Sequence, residues 1–120
     1  MRAGAKEKGL RGEELALTFL AGKGLRLLER RFHAPGGEID LVMEADGLLV
    51  FVEVKYRPAG RPGSGMEAVT AKKQRRILLA AGEYLLQTGG FDRPMRFDVV
   101  EVTGGGVIHV ENAFSGSWPG

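Results

Sequence analysis

The chain has no cysteine. That excludes disulfides, thiolate zinc sites and thiol nucleophiles together. Histidine is nearly absent too, with only His33 and His109. They lie far apart in sequence, and neither has a partner at metal-ligand spacing. Each reads as an ordinary position, one in a loop and one in a strand. No Ser-His-Asp set with a nucleophile elbow is present. No apolar run approaches the roughly 18 residues of a membrane-spanning helix. No signal peptide is visible either, so a cytoplasmic location with no membrane partner is expected. An excess of one charge is also missing. The 17 basic and 15 acidic residues leave a net charge of +2, so whole-molecule attraction to a polyanion is modest. The glycine-rich stretch Gly60-Arg61-Pro62-Gly63-Ser64-Gly65 lacks the Lys-Ser/Thr of a phosphate-binding loop and reads as a plain loop.

What remains is ordinary in bulk. The 120 residues are 43% hydrophobic and 27% charged. That suits one globular domain, residues 1–120, with a core of its own. A helix is expected from about Lys6 to Ala21, ending near Gly22 or Gly24. A strand from Leu25 to Phe32 follows, then a turn at Pro35-Gly36-Gly37. Two further strands flank Asp46-Gly47, and Pro58 to Gly65 forms a loop. A second helix is expected from about Met66 to Gln87, with Val69, Ile77, Ala80, Ala81, Tyr84 and Leu85 as its core stripe. Arg96–Thr103 and Val107–Glu111 read as a last strand pair around Gly104-Gly105-Gly106. The tail from Asn112 offers Phe114 and Trp118 for docking. The order αβββαββ predicts an α/β fold, a central mixed sheet flanked by helices.

The specific signal sits around Asp46-Gly47. Both residues accept the positive φ of a type I′ turn, and apolar runs flank them. A two-residue loop there sets Ala45 opposite Leu48. Counting outward, Asp40 opposes Glu53 and Glu38 opposes Lys55. Alternation puts these four on one face, with Val42, Phe51 and Leu49 beside them. The other face carries Ile39, Leu41, Met43 and Ala45 against Val54, Val52, Val50 and Leu48, and reads as core. Opposed carboxylates on a half-covered face are unfavourable without a cation. Lys55 is one candidate. A divalent ion is the other, since Mg²⁺ takes oxygen ligands, carboxylates foremost. In the first helix Glu13 falls among Ala16, Leu17 and Leu20, inside the apolar sector, and so needs a partner. Glu14 falls at the polar edge. Basic residues crowd Arg2, Lys6, Lys8 and Arg11 of the first helix, the loop at Arg57 and Arg61, and the start of the second helix at Lys72, Lys73, Arg75 and Arg76. Cations at a helix N-terminus oppose its dipole, which suggests an external anion such as phosphate.

Asp40 followed by Glu53-x-Lys55 on the next strand resembles the PD-(D/E)xK nuclease core. The longer series is more specific. Gly12-Glu13, Gly37-Glu38-Ile39-Asp40-Leu41, Val50 to Lys55, Val69-Thr70 with Lys73-Gln74, Arg96 to Val100 and Ala113-Phe114 resemble the YraN (UPF0102) family. That family is similar to archaeal Holliday-junction resolvases. The resemblance implies a restriction-endonuclease-like core and hydrolysis of nucleic-acid phosphodiesters, with branched DNA a candidate substrate. It implies Mg²⁺ (or Mn²⁺) held by Asp40 and Glu53, with the Val54 carbonyl a third ligand and Glu13 holding a ligand water or a second ion. Lys55 would stand beside the attacking water. Lys73 and Gln74 would touch the phosphate or the water. Arg57, Arg61 and Lys72 would grip the backbone, and Glu38 would steady Lys55. DNA is the implied partner and a homodimer the implied assembly. The alternative is a nucleic-acid-binding protein of the same fold without turnover.

Overall fold

The computed structural model describes residues 5–61, 63 and 69–115. Arg2, the expected helix start at Met66, most of the Pro62–Gly65 loop and Trp118 lie outside them, as do the side chains of Lys6 and Lys8. The elements are α1 (Ala5–Gly22), β1 (Arg26–Ala34), β2 (Gly37–Ala45), β3 (Leu48–Arg57), α2 (Ala71–Thr88), β4 (Met95–Thr103) and β5 (Gly106–Phe114). This is the expected order αβββαββ. The five strands form one sheet in sequence order. Neighbours are antiparallel except β3 and β4, which run parallel and are joined through α2. The fold is thus α/β with a mixed sheet, consistent with a restriction-endonuclease-like core.

The hairpin forms as read. Asp46 and Gly47 have φ of 49° and 83°, both positive as a type I′ turn requires. Pairing runs from Ala45 with Leu48 to Leu41 with Val52, in the expected register. Both faces of the sheet are covered. α1 packs Ala16 and Leu20 against Leu41, Met43, Val50 and Val52. α2 packs Ile77, Ala81, Tyr84 and Leu85 against Val42, Leu49 and Phe51. On that second side Phe51, Phe97 and Phe114 stack at 5.4 and 5.2 Å, and Tyr84 meets Phe51 edge-on. The face expected to be half-solvated is therefore a second core. This explains why the middle strands read as nearly continuous apolar runs.

Three boundaries differ from expectation. α2 starts at Ala71, because Thr70 adopts extended backbone and its side chain accepts from Lys73 N–H, an N-cap. Val69 is buried beside the helix rather than within its stripe. β1 extends to Ala34. β5 continues through Asn112, whose φ of 51° marks an irregularity that lets Phe114 pair with Phe97.

One further departure matters for the site. Ile39 packs on the α2 side, whereas Leu41 and Met43 pack on the α1 side. Residues two apart on a regular strand share a face. The alternation therefore slips at Asp40. Its β1 neighbour Arg31 has φ of 51°, outside the extended region. Asp40 sits at this twist, between the two cores.

Candidate active site

Two glycines bring the helices onto the sheet where Asp40 and Glu53 lie. A Cβ on Gly12 would sit 2.5 Å from Tyr56 Cβ. Only glycine lets α1 press on β3 there, and that contact delivers the next residue, Glu13, to the sheet. A Cβ on Gly37 would lie 2.0 Å from the Arg76 carbonyl oxygen. Its absence lets the first turns of α2 close over the start of β2, and Lys73 reaches Glu53. Both glycines belong to motifs read in the sequence, and close approach is their physical reason.

Asp40, in the first half of β2, and Glu53, just past the middle of β3, are brought together. The ladder ends one pair short of them. Asp40 Oδ2 instead accepts from Val54 N–H at 2.7 Å, so its side chain continues the ladder where the β2 backbone has twisted away. Burial raises the Asp40 carboxyl, and the Glu53 charge raises it further, to about 7. The Val54 N–H opposes this, while Glu13 and a hydrogen bond with Glu53 add to it. Glu53 is buried and its Oε1 lies 3.3 Å from both Lys55 Nζ and Lys73 Nζ. The pair is asymmetric. Glu53 has two ammonium partners, while Asp40 has the Val54 N–H and Glu53 itself.

Glu13 is buried and Glu14 exposed, as the helical wheel required. Arg31 Nε donates to both Glu13 oxygens, at 3.0 and 3.1 Å, and the guanidinium stays protonated beside them. Glu13 thus acts on Asp40 through its charge, while Arg31 takes up its oxygens. Among the described residues, no three carboxylates or imidazoles converge as a metal cage. The acidic pair and the Val54 backbone are what the site offers a cation. Opposed, buried carboxylates with one raised to about 7 fit a divalent ion in charge and donor type.

Glu38 corrects the hairpin reading. It does not meet Lys55. Its Oε2 lies 3.1 Å from His33 Nδ1, across the β1–β2 hairpin. The slip at Asp40 turned it away from β3. His33, Gly37, Glu38, Lys73 and Arg76 line a cleft of about 220 Å³, and Lys73 connects it to Glu53. Gln74 donates to the Val69 carbonyl at 3.0 Å, so its amide secures the start of α2. Lys72, Arg57 and Arg61 are exposed.

Two buried acids escaped the sequence reading. Glu101 is 3% exposed and in register with Lys55 on the parallel neighbour strand. It accepts from Gly63 N–H at 2.7 Å and ties the loop after β3 to the site. Asp98 is fully buried on the α1 side. It receives Arg96 at 2.8 and 3.0 Å, Asn112 N–H at 3.0 Å and His109 Nε2 at 2.7 Å. His109 is therefore a buried anchor rather than an ordinary strand position. A charged residue between Phe97 and Val99 was the available signal, because an apolar strand does not bury a carboxylate without partners.

Comparison with known proteins agrees with the motif series. The family described as Uncharacterised protein family UPF0102 matches residues 12–102. A UPF0102 protein of Nitrosococcus oceani is 48% identical over 82% of this chain and 80% of its own length. Others from Saccharophagus degradans and Symbiobacterium thermophilum are 43% and 46% identical, over 91% and 84% of this chain and 93% and 86% of theirs. The matched span contains Glu13, Asp40, Glu53, Lys55 and Glu101, and the chain belongs to the UPF0102 family.

Proposed function

We propose that this protein is a metal-dependent nuclease that hydrolyses phosphodiester bonds in nucleic acid, with branched DNA as the first substrate to test. One observation carries the reading. Asp40 and Glu53 are buried together on a twisted hairpin, and burial, with the Glu53 charge beside it, raises Asp40 to about 7. A fold gains nothing in stability from such a pair. A site that must hold a cation does.

Asp40 and Glu53 would hold Mg²⁺ or Mn²⁺. When bound, that ion supplies charge neutralisation at the scissile phosphate and a more acidic water. The chain's own residues do the rest. Lys55, on the Glu53 carboxylate, is placed to orient the attacking water and share its proton. Lys73, also on Glu53, would contact the phosphate from α2. His33 and Arg76 extend the basic lining along the cleft. Arg57, Arg61 and Lys72 are exposed and would contact backbone phosphates without reading sequence.

One observation favours the alternative, a nucleic-acid-binding protein without turnover. Glu53 is already neutralised by two lysines and Glu13 by Arg31. The test is a cleavage assay on branched, duplex and single-stranded substrates with Mg²⁺ or Mn²⁺, beside Glu53→Gln and Lys55→Ala. A nuclease loses cleavage in both variants and keeps binding with Lys55→Ala. If wild type cuts nothing and Lys55→Ala merely loosens binding, the nuclease reading is wrong and the binding reading stands.

A further inference from the structure

The outer face of α2 is apolar where a surface helix should be polar. Among the described residues four large hydrophobic side chains are exposed, and three of them lie here: Leu79 at 38%, Leu86 at 70% and Phe91 at 49%. With Pro35, Leu78, Gly82 and Glu83 they line a groove of about 430 Å³. This groove shares no lining residue with the carboxylate cleft. Exposed apolar surface gathered in one groove marks an interaction site.

Three features specify the occupant. Arg75, Leu79, Gly82 and Leu86 follow one another at steps of three or four along α2, so they form one stripe. The stripe is nearly symmetric end to end: Leu79 and Leu86 flank Gly82, where the missing side chain allows a second helix to approach closely. Its charges are antisymmetric. The first turn of α2 is basic, with Lys72 and Arg75 exposed and no acid. The far end has no basic residue in its last turn, closes with left-handed Gly89 and is followed by exposed Asp92, while the next residue, Arg93, is turned to Glu44 and the Gly47 carbonyl. A partner helix that sets leucine on leucine, glycine near glycine and a basic start on an acidic end is α2 itself, reversed.

We propose that two copies of this chain associate through α2, antiparallel about Gly82. Leu79 packs on the second copy's Leu86, and Arg75 meets the carbonyl end of the second helix and the second copy's Asp92. Cations at a helix C-terminus are favourable. The pairing therefore also relieves the cost of a basic helix start.

The test is sedimentation equilibrium of the full chain from micromolar to several hundred micromolar, with no nucleic acid or metal, so its outcome is independent of any nuclease activity. Wild type should dimerise. Leu86→Glu should raise the dissociation constant at least about a hundredfold while circular dichroism and melting show an intact fold, because Leu86 is already exposed. Arg75→Glu and Asp92→Arg should each weaken the dimer about tenfold, and the double exchange should restore it. A monomeric wild type across this range overturns the proposal. So does a dimer that survives Leu86→Glu, or one whose charge-exchanged double variant is no tighter than the single variants.

Discussion

Replacing Asp40 by asparagine should stabilise the metal-free protein above neutral pH and do much less near pH 4.5. The carboxyl is moved from its usual 3.8 to about 7 by burial and by Glu53. At about 1.4 kcal/mol per pH unit, holding it ionised costs the fold about 4 kcal/mol. Its folded value lies above its unfolded one. The associated stability is therefore complete below about pH 4 and is lost as pH rises through 7. Asparagine cannot ionise, yet its side-chain oxygen still accepts from Val54 N–H. The difference between variant and wild type isolates the site, because every other titration is shared. Urea unfolding in a chelator at pH 4.5, 6, 7 and 8.5 measures it. The variant's advantage should grow across this series by a few kcal/mol, a large share of a small domain's stability. An advantage that stays constant with pH, or shrinks, would refute the reasoning.

Adding Mn²⁺ or Mg²⁺ at pH 8 should raise the melting temperature of wild type by mass action, less so at pH 6 where Asp40 is protonated, and not at all for Asp40→Asn. Glu13→Gln should lower the melting temperature by several degrees, because Arg31 loses its bidentate partner. Glu14→Gln, at a position with a side chain 60% exposed, should leave the melting curve unchanged. Gly37→Ala should destabilise by about 2–4 kcal/mol in denaturant titration, since the new methyl would meet the Arg76 carbonyl oxygen at 2.0 Å. Asp98→Asn should weaken folding by at least about 1 kcal/mol at neutral pH through its Arg96 and His109 contacts.

The hairpin was legible because two local rules agree there. Asp-Gly fixes the turn, and period-two alternation carries the register outward to Leu41 and Val52. Glu13 was legible because a carboxylate inside an apolar helical sector has few explanations. Glu38 was misplaced because the slip at Asp40 depends on Arg31, a non-glycine residue with positive φ, and such a residue leaves no mark in composition. The start of α2 was missed because Val69 continues the apolar spacing of the helix, although Thr70 ahead of Lys73 carried the cap. Asp98 and Glu101 stayed hidden for a different reason. Their partners, Asn112, His109 and Gly63, arrive from other strands and loops, and no local pattern announces a distant donor.

The single parallel pairing in the sheet also bears on how the protein is made. As the chain emerges, α1 and the first three strands can assemble from neighbouring segments. At that stage β3 is an open edge, and Val50, Phe51, Val52 and Val54 present unpaired backbone to the surroundings. It stays open until the loop, α2 and β4 have all followed, because β4 alone covers it. An exposed apolar strand edge recruits other chains, and closing a long connection is slow. Shortly before completion the nascent protein is therefore at its most aggregation-prone. A chain truncated before Met95 should appear in inclusion bodies, although its acidic hairpin is already in register.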